Sequence, residues 1–447
     1  MSGLKLSALR VYIKRVQPRD LLQLSSSGKK TSLFFPSYTI SPGRSGIEAA
    51  RVSFSSSCAK RNNKRQNMAS NVEKKQDGGA WIGVKGAGSL DLRSDVMTVP
   101  TPAMLAAVAN CSLRDDVFNE DPTTRDLEAH VAQLAGKEAG LFVTSGTMGN
   151  QVALRSLLTQ PPFGVLADHR SHIILYEAGG VSSLTGATVK PVVPRNGVHL
   201  TVEDVAAHAI LSSDVHACPT RVISLENTLN GTVMPLSAVA SIASFARAHN
   251  IRLHCDGARL WEAAVATSSS STSSTSSSSS PSAVLAEYCS HFDTISLCFS
   301  KGLGAPVGSI IVGDAATLTH ARWVRKSLGG GMRQPGMLAA AARVAVDETF
   351  TGGLLRASHE TAKKVEAAWT GLGGTLVHPV QTNMCWVDLE AHGVSTEAFT
   401  EACAEEGLRV SGGRLVTHYQ IAQNEVEVLP RLERVFKKVL GAQSTSQ

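Results

Sequence analysis

The chain has 447 residues, 43% of them apolar, with a formal net charge of +6, which is length enough for two or three domains and a substantial buried core. The charge is uneven: residues 1–70 carry thirteen Lys and Arg against Asp20 and Glu48, a net +11, leaving −5 for the remainder. A mildly acidic body excludes a nucleic-acid-binding one, and with no run of ~20 apolar residues a membrane-spanning helix is excluded too.

In chain order, the first feature is the Ser- and Arg-rich segment 1–70. Leu6, Leu9, Ile13 and Val16 recur at helical spacing, with Arg10, Lys14 and Arg15 mostly off that stripe. This is the basic amphipathic pattern of an organelle transit peptide. Composition does not separate mitochondrion from plastid, and translation from Met68 would remove the label and leave the protein cytoplasmic. Strands are predicted at 139–143, 164–168, 221–225, 252–255, 294–299 and 309–312, separated by helical stretches such as 236–249. Strands alternating with helices predict an α/β fold with a mostly parallel sheet. Residues 268–280, "SSSSTSSTSSSSS", bury no apolar surface and are expected to form a solvated insertion. After "GGGM" at 329–332, an Ala-rich helix leads into a part with its own strand-helix pattern, including "TNMCWVDLE" and "RLVTHYQ". The expected division is therefore a large domain, 89–330, and a smaller α+β domain, 331–442. The eight cysteines show no CxxC pair and no regular spacing, so they read as reduced structural thiols, with no metal site expected.

Three stretches carry chemistry. In "FVTSGTMGN", 142–150, a strand ends in Ser145, Gly146 and Thr147 and a helix begins; helix N-terminal N–H groups beside hydroxyls and a glycine make an anion cradle. "LHCDGARLW", 253–261, places Asp256 at a strand's end, where a carboxylate can hold a protonated ring nitrogen or simply cap a helix. "ISLCFSKGLGAPVGS", 295–309, runs from a buried strand into Lys301 and a glycine turn. A Schiff-base lysine, a carboxylate and an anion cradle at strand ends together match a cofactor with an aldehyde, a pyridine nitrogen and a phosphate, namely pyridoxal 5′-phosphate.

With "DLRSDVMTVPTPAM", "DDVFNEDPT", "SHIILYEAGG" and "LGGGMRQPG" added to these, residues 89–440 resemble low-specificity L-threonine aldolase, a pyridoxal phosphate enzyme of the aspartate-aminotransferase fold group. Phe118 stands where that family usually has Tyr, and the Ser/Thr run interrupts the stretch before Lys301. The resemblance implies that Lys301 binds the cofactor aldehyde, that Asp256 pairs with its ring nitrogen, and that Gly146 and Thr147 hold its phosphate. It stacks His172 on the ring and matches Ser94, Arg259 and Arg414 to residues around the substrate carboxylate or a cofactor oxygen. His216 is matched to a second active-site histidine. Lys326 and Arg333 are matched to basic residues near the cofactor, with a neighbouring subunit as an alternative origin, and exposed solvated charges as the plain one.

The implied reaction is a retro-aldol cleavage of a β-hydroxy-α-amino acid, L-threonine or L-allo-threonine, to glycine and acetaldehyde, serving threonine catabolism and glycine biosynthesis. His172 and His216 are the candidate bases. A homotetramer or homodimer is expected, without nucleic-acid or membrane partners. The alternatives are a β-eliminating lyase or an aminotransferase on the same scaffold, and a cofactor-free interaction protein.

Overall fold

The structure, a computed structural model, describes residues 87–270 and 280–441. The extension 1–70 with Met68 and Cys58, and residues 271–279 of the Ser/Thr tract, lie outside the described residues. Among those described, seven strands form one sheet: β1 (Ala139–Val143), β2 (Gly164–Asp168), β3 (Thr188–Val192), β4 (Thr220–Glu226), β5 (Arg252–Gly257), β6 (Thr294–Cys298) and β7 (Ser309–Gly313), in the order β1-β7-β6-β5-β4-β2-β3. β7 alone runs opposite to the other six strands. β2, β6 and β7 are buried along their whole length, which is why they read as continuous apolar runs rather than alternating ones. Successive side chains still divide between the faces: Phe142 packs with Leu166, Ile223 and Leu297 on one, Leu141 and Val143 with Ile311 and Leu318 on the other.

Helix α1 (Gly146–Leu157) follows β1 and α2 (Ala315–Ser327) follows β7. The Ala-rich α3 (Gly336–Ala345) places Ala339, Ala341 and Ala342 in the sheet's main core, which extends through Leu355. A second core holds Trp369, Phe399, Leu415 and Phe436. It is built by α4 (Leu354–Thr370), α5 (Thr396–Glu405) and α6 (Glu425–Gly441) around the antiparallel pair β8 (Met384–Trp386) and β9 (Arg414–Val416). The change from one core to the other falls inside α4, between Leu355 and Ala362.

The segment before the sheet belongs to this second core. Leu92 is buried in it, Arg409 N–H donates to Leu90 O at 2.9 Å, and Val416 N–H to Leu92 O at 2.9 Å. The pairing carries Ser94 and Asp95 to the seam between the cores. At the Ser/Thr tract the structure narrows the expected insertion. Ser268 is buried and finishes the helix Leu260–Ser270, its Oγ donating to Val265 O at 2.9 Å, while Ser280 caps the helix Pro281–Ser290 by accepting from Ala283 N–H at 3.2 Å. A serine hydroxyl that bonds its own backbone serves a helix end well, so the outer residues of the run are structural.

Candidate active site

Because β1, β2, β4, β5 and β6 are parallel, their carboxyl ends lie along one edge of the sheet, together with Ser309 at the start of the antiparallel β7. The β4–β5 register sets Glu226 beside Asp256. Asp256 is 4% exposed. Its Oδ2 accepts from Asn150 Nδ2 at 2.7 Å and its Oδ1 from Ala258 N–H at 3.1 Å. Among the described residues no cation lies within ion-pair distance of it. A buried carboxylate held only by neutral donors is costly, and here it leaves a place for a cationic group.

Asn150 is itself oriented. Its Oδ1 lies 3.2 Å from His254 Nε2, and His254 Nδ1 lies 2.9 Å from Thr294 Oγ1. Burial keeps His254 neutral, with a pKa of about 4. The tautomer with the proton on Nε2 therefore satisfies Asn150 Oδ1 and turns its amide toward both Asp256 and Glu177 Oε1, the latter at 2.8 Å. Glu177 Oε1 is also 2.8 Å from His172 Nδ1. That contact, opposed by burial and helped by the Asp256 charge, raises the His172 pKa. The His172 backbone N–H donates to Glu226 Oε2 at 2.7 Å. Burial, reinforced by the neighbouring Asp256 charge, pushes the Glu226 pKa up and favours its protonated form.

On the β1 side, Ser145 caps α1, its Oγ accepting from Met148 N–H at 3.1 Å. The first-turn N–H groups of Gly146 and Thr147 lack intrahelical acceptors, as at any helix start. The Ser309 hydroxyl is buried without a partner among the described residues, and a Cβ added to Gly146 would lie 3.7 Å from it. An orphaned hydroxyl facing a helix N-terminus fits a phosphate. Gly149 lets the helix lie this close to the sheet, since a Cβ there would overlap Ser296 Oγ.

Lys301 follows β6 by three residues, and its ammonium has no hydrogen bond or ion pair among the described residues. It is near enough to Asp95, His172 and Glu226 to favour their less protonated forms. Arg259 forks onto Asp95 through Nε at 2.8 Å and Nη2 at 2.6 Å. Burial opposes ionisation of Asp95, but Arg259, backed by Lys301 and Arg414, holds its carboxyl well below the usual range. Arg414 donates to Arg93 O at 2.9 Å and lies 5.7 Å from the centre of the Trp386 ring. It has no carboxylate partner among the described residues, and burial, with Arg259 nearby, lowers its pKa. Ser94 is half-buried beside this pair, its Oγ 3.3 Å from Asp95 Oδ1.

Lys301, Asp256, His172, Gly146 and Thr147 thus lie along the sheet edge, with Arg259, Ser94 and Arg414 at the seam of the second core. His216 is not among them. It precedes β4, so strand direction sets it at the opposite, amino edge, with a 90% exposed side chain on Asp214 Oδ1 at 2.8 Å. Lys326 is exposed at the end of α2, and Arg333 pairs with Asp115 at 2.7 Å while 57% exposed. The loop between them passes the first turn of α1 at Met148, since a Cβ on Gly330 would come 2.8 Å from its sulfur. Sequence reading did not single out Asn150, Glu177, Glu226 or Asp95. The signal for Asn150 was a polar residue inside the buried run 149–154 of α1.

The beta-eliminating lyase family matches residues 91–392. Curated relatives include Aldolase vrtJ of Penicillium aethiopicum, 49% identical over 79% of this chain and 87% of that protein. Alanine racemase TOXG of Cochliobolus carbonum is 45% identical over 78% and 88%, and Low-specificity L-threonine aldolase of Candida albicans 42% over 75% and 87%. The fold is shared with the solved threonine aldolase of Leishmania major, at 20% identity and a TM-score of 0.64, over 78% of this chain and 99% of that one.

Proposed function

The chain belongs to the beta-eliminating lyase family, and from that premise we propose that it is a carbon–carbon lyase that uses pyridoxal phosphate to cleave L-threonine or L-allo-threonine into glycine and acetaldehyde. The observation that carries this reading is that, among the described residues, a buried Asp256 has no cationic partner, Lys301 no anionic one, and Arg414 no carboxylate. The residues fit the cofactor: Lys301 for its aldehyde, Asp256 for its ring nitrogen, and Gly146, Thr147 and Ser309 for its phosphate. When bound, it supplies a protonated ring that accepts the electron pair of the broken bond.

Arg414, with Ser94 beside it, orients the substrate by its carboxylate, which selects the bond that breaks. His172 takes the β-hydroxyl proton on Nε2, because Glu177 already occupies Nδ1. Arg259, bound to Asp95, keeps Nη1 for a cofactor or substrate oxygen. Incubation with each threonine isomer tests the reading: glycine with acetaldehyde is expected. Formation of 2-oxobutyrate and ammonia would replace it with elimination, and racemisation of alanine without aldehyde with a racemase.

Assembly as a homodimer or homotetramer is part of the proposal. Leu113 and Phe118 flank Asp116, which pairs with Arg322 and Arg325, and Trp323 lies between those arginines on α2. All three apolar side chains are more than 60% exposed, and a second copy would cover them. We also propose import into an organelle directed by residues 1–70, and a role in threonine catabolism that yields glycine.

A further inference from the structure

The turn that carries Lys301 is gripped by side chains to which the reaction above assigns no task. Thr349, buried in the π-type turn Val346–Thr351, donates through Oγ1 to Leu303 O at 3.0 Å. The Tyr419 hydroxyl stands where a Cβ on Gly304 would come within 2.6 Å of it. Closest of all is Glu262. A Cβ on Gly302, the residue after Lys301, would overlap Glu262 Oε1.

Gly302 does not have the positive φ that marks Gly304, at +87°. Glycine is therefore required at 302 by space and not by conformation, and what takes that space is a carboxylate. Glu262 is 2% exposed, its Oε1 has no hydrogen-bond partner among the described residues, and its Oε2 lies 2.6 Å from His359 Nε2. A buried carboxylate oxygen left unpaired costs free energy, so its retention against the lysine turn is the feature to explain. His359 belongs to α4, the helix whose later residues Ala362, Val365 and Trp369 enter the second core, where Arg414 also sits on β9.

We propose that Glu262 and His359 are positioning residues for Lys301. The carboxylate, aimed by His359, fills the space beside Gly302 and fixes the turn, so that the lysine is held in register with the core that presents Arg414. This inference rests on the reading of Lys301 as the cofactor lysine.

The test is a rescue. Gly302→Ala, Glu262→Asp and the double variant are reconstituted with pyridoxal phosphate, and the visible absorbance of the lysine-bound cofactor is recorded together with kcat and KM. Gly302→Ala should weaken that absorbance and lower kcat about 100-fold, as a roughly 1 Å misplacement of a reacting group does, with KM little changed. Glu262→Asp withdraws the carboxylate by one methylene and keeps its charge. The double variant should therefore regain most of the absorbance and at least about tenfold in kcat, a coupling that independent sites do not show. If Gly302→Ala fails to fold, recovery of a cooperative melt in the double variant is the same rescue. A double variant no better than Gly302→Ala, or a Gly302→Ala with wild-type absorbance and rate, overturns the proposal. A wild-type protein that never develops the lysine-bound absorbance would instead remove the Lys301 reading, so the two failures are distinct.

Discussion

Two buried aspartates of this molecule, one at the seam of the cores and one at the sheet edge, are satisfied in opposite ways. Asp95 is fully enclosed and forked by Arg259 through two short hydrogen bonds. Asp256, just as enclosed, receives only an amide and a backbone N–H. The first carboxylate is neutralised within the chain and so belongs to the structure that holds the two cores together. The second has no cationic partner among the described residues, and the Thr294–His254–Asn150 relay that aims a neutral amide at it keeps it available. Burial alone would not separate the two; the identity of the partner does.

The comparison predicts that isosteric changes at the two sites diverge. Asp256→Asn should lower kcat by about 100- to 1,000-fold, the scale on which a single preorganised electrostatic partner acts. Melting of the cofactor-free protein should fall by only about 1–3 kcal/mol, because no ion pair is broken and the amide loses one of the two hydrogen bonds that the carboxylate accepts. Asp95→Asn should instead cost about 3–5 kcal/mol of stability in the cofactor-free protein, since Arg259 is then buried without its counter-charge. Equal melting losses in the two variants would break the distinction.

A finer test lies on the same edge, at Glu177. Its hydrogen bond is the largest cause of the raised His172 pKa, working against burial and with the Asp256 charge. If neutral His172 is the base, activity falls as pH drops through that raised value. Glu177→Gln keeps an acceptor oxygen beside Nδ1 but removes the negative charge that strengthens that bond and favours the imidazolium, so His172 should lose its proton more readily and the acidic limb of the kcat profile should move to lower pH. A limb that stays in place, or moves up, would take His172 out of the role of base.

What could be read from residues alone follows the same physics. β2, β6 and β7 were legible because strands buried on both faces are unbroken apolar runs. Lys301, Asp256 and the Ser145–Thr147 cradle were legible because each stands where such a run stops. Glu226 stands there too, but its meaning comes from the β4–β5 register that sets it against Asp256, and register is a long-range property that local pattern does not carry. Phe399 and Trp369 meet in a core with Leu92, which stands before the first strand of the sheet, so Ser94 could be matched by motif but not placed, and its neighbour Asp95 went unnoticed. Within the single chain His216 was misplaced for a related reason. Its motif match ignored the direction of β4, and a residue just before a parallel strand lies at the edge away from the ligand.

That direction yields the smallest expected effect. His216→Asn should leave kcat, KM and the acidic limb unchanged and alter stability by no more than about 0.5 kcal/mol, the usual range for an exposed position. The imidazole's partner, Asp214, is itself 61% exposed, and an exposed pair of this kind contributes little. The measurement is informative because the alternative is specific. Within one chain His216 cannot reach the carboxyl edge, where Asp256 and Lys301 stand. A tenfold fall in kcat with an intact melt would therefore mean that the 209–219 segment of one copy completes the site of another, and a mixture of His216→Asn with Lys301→Ala protein would then recover activity that neither has alone.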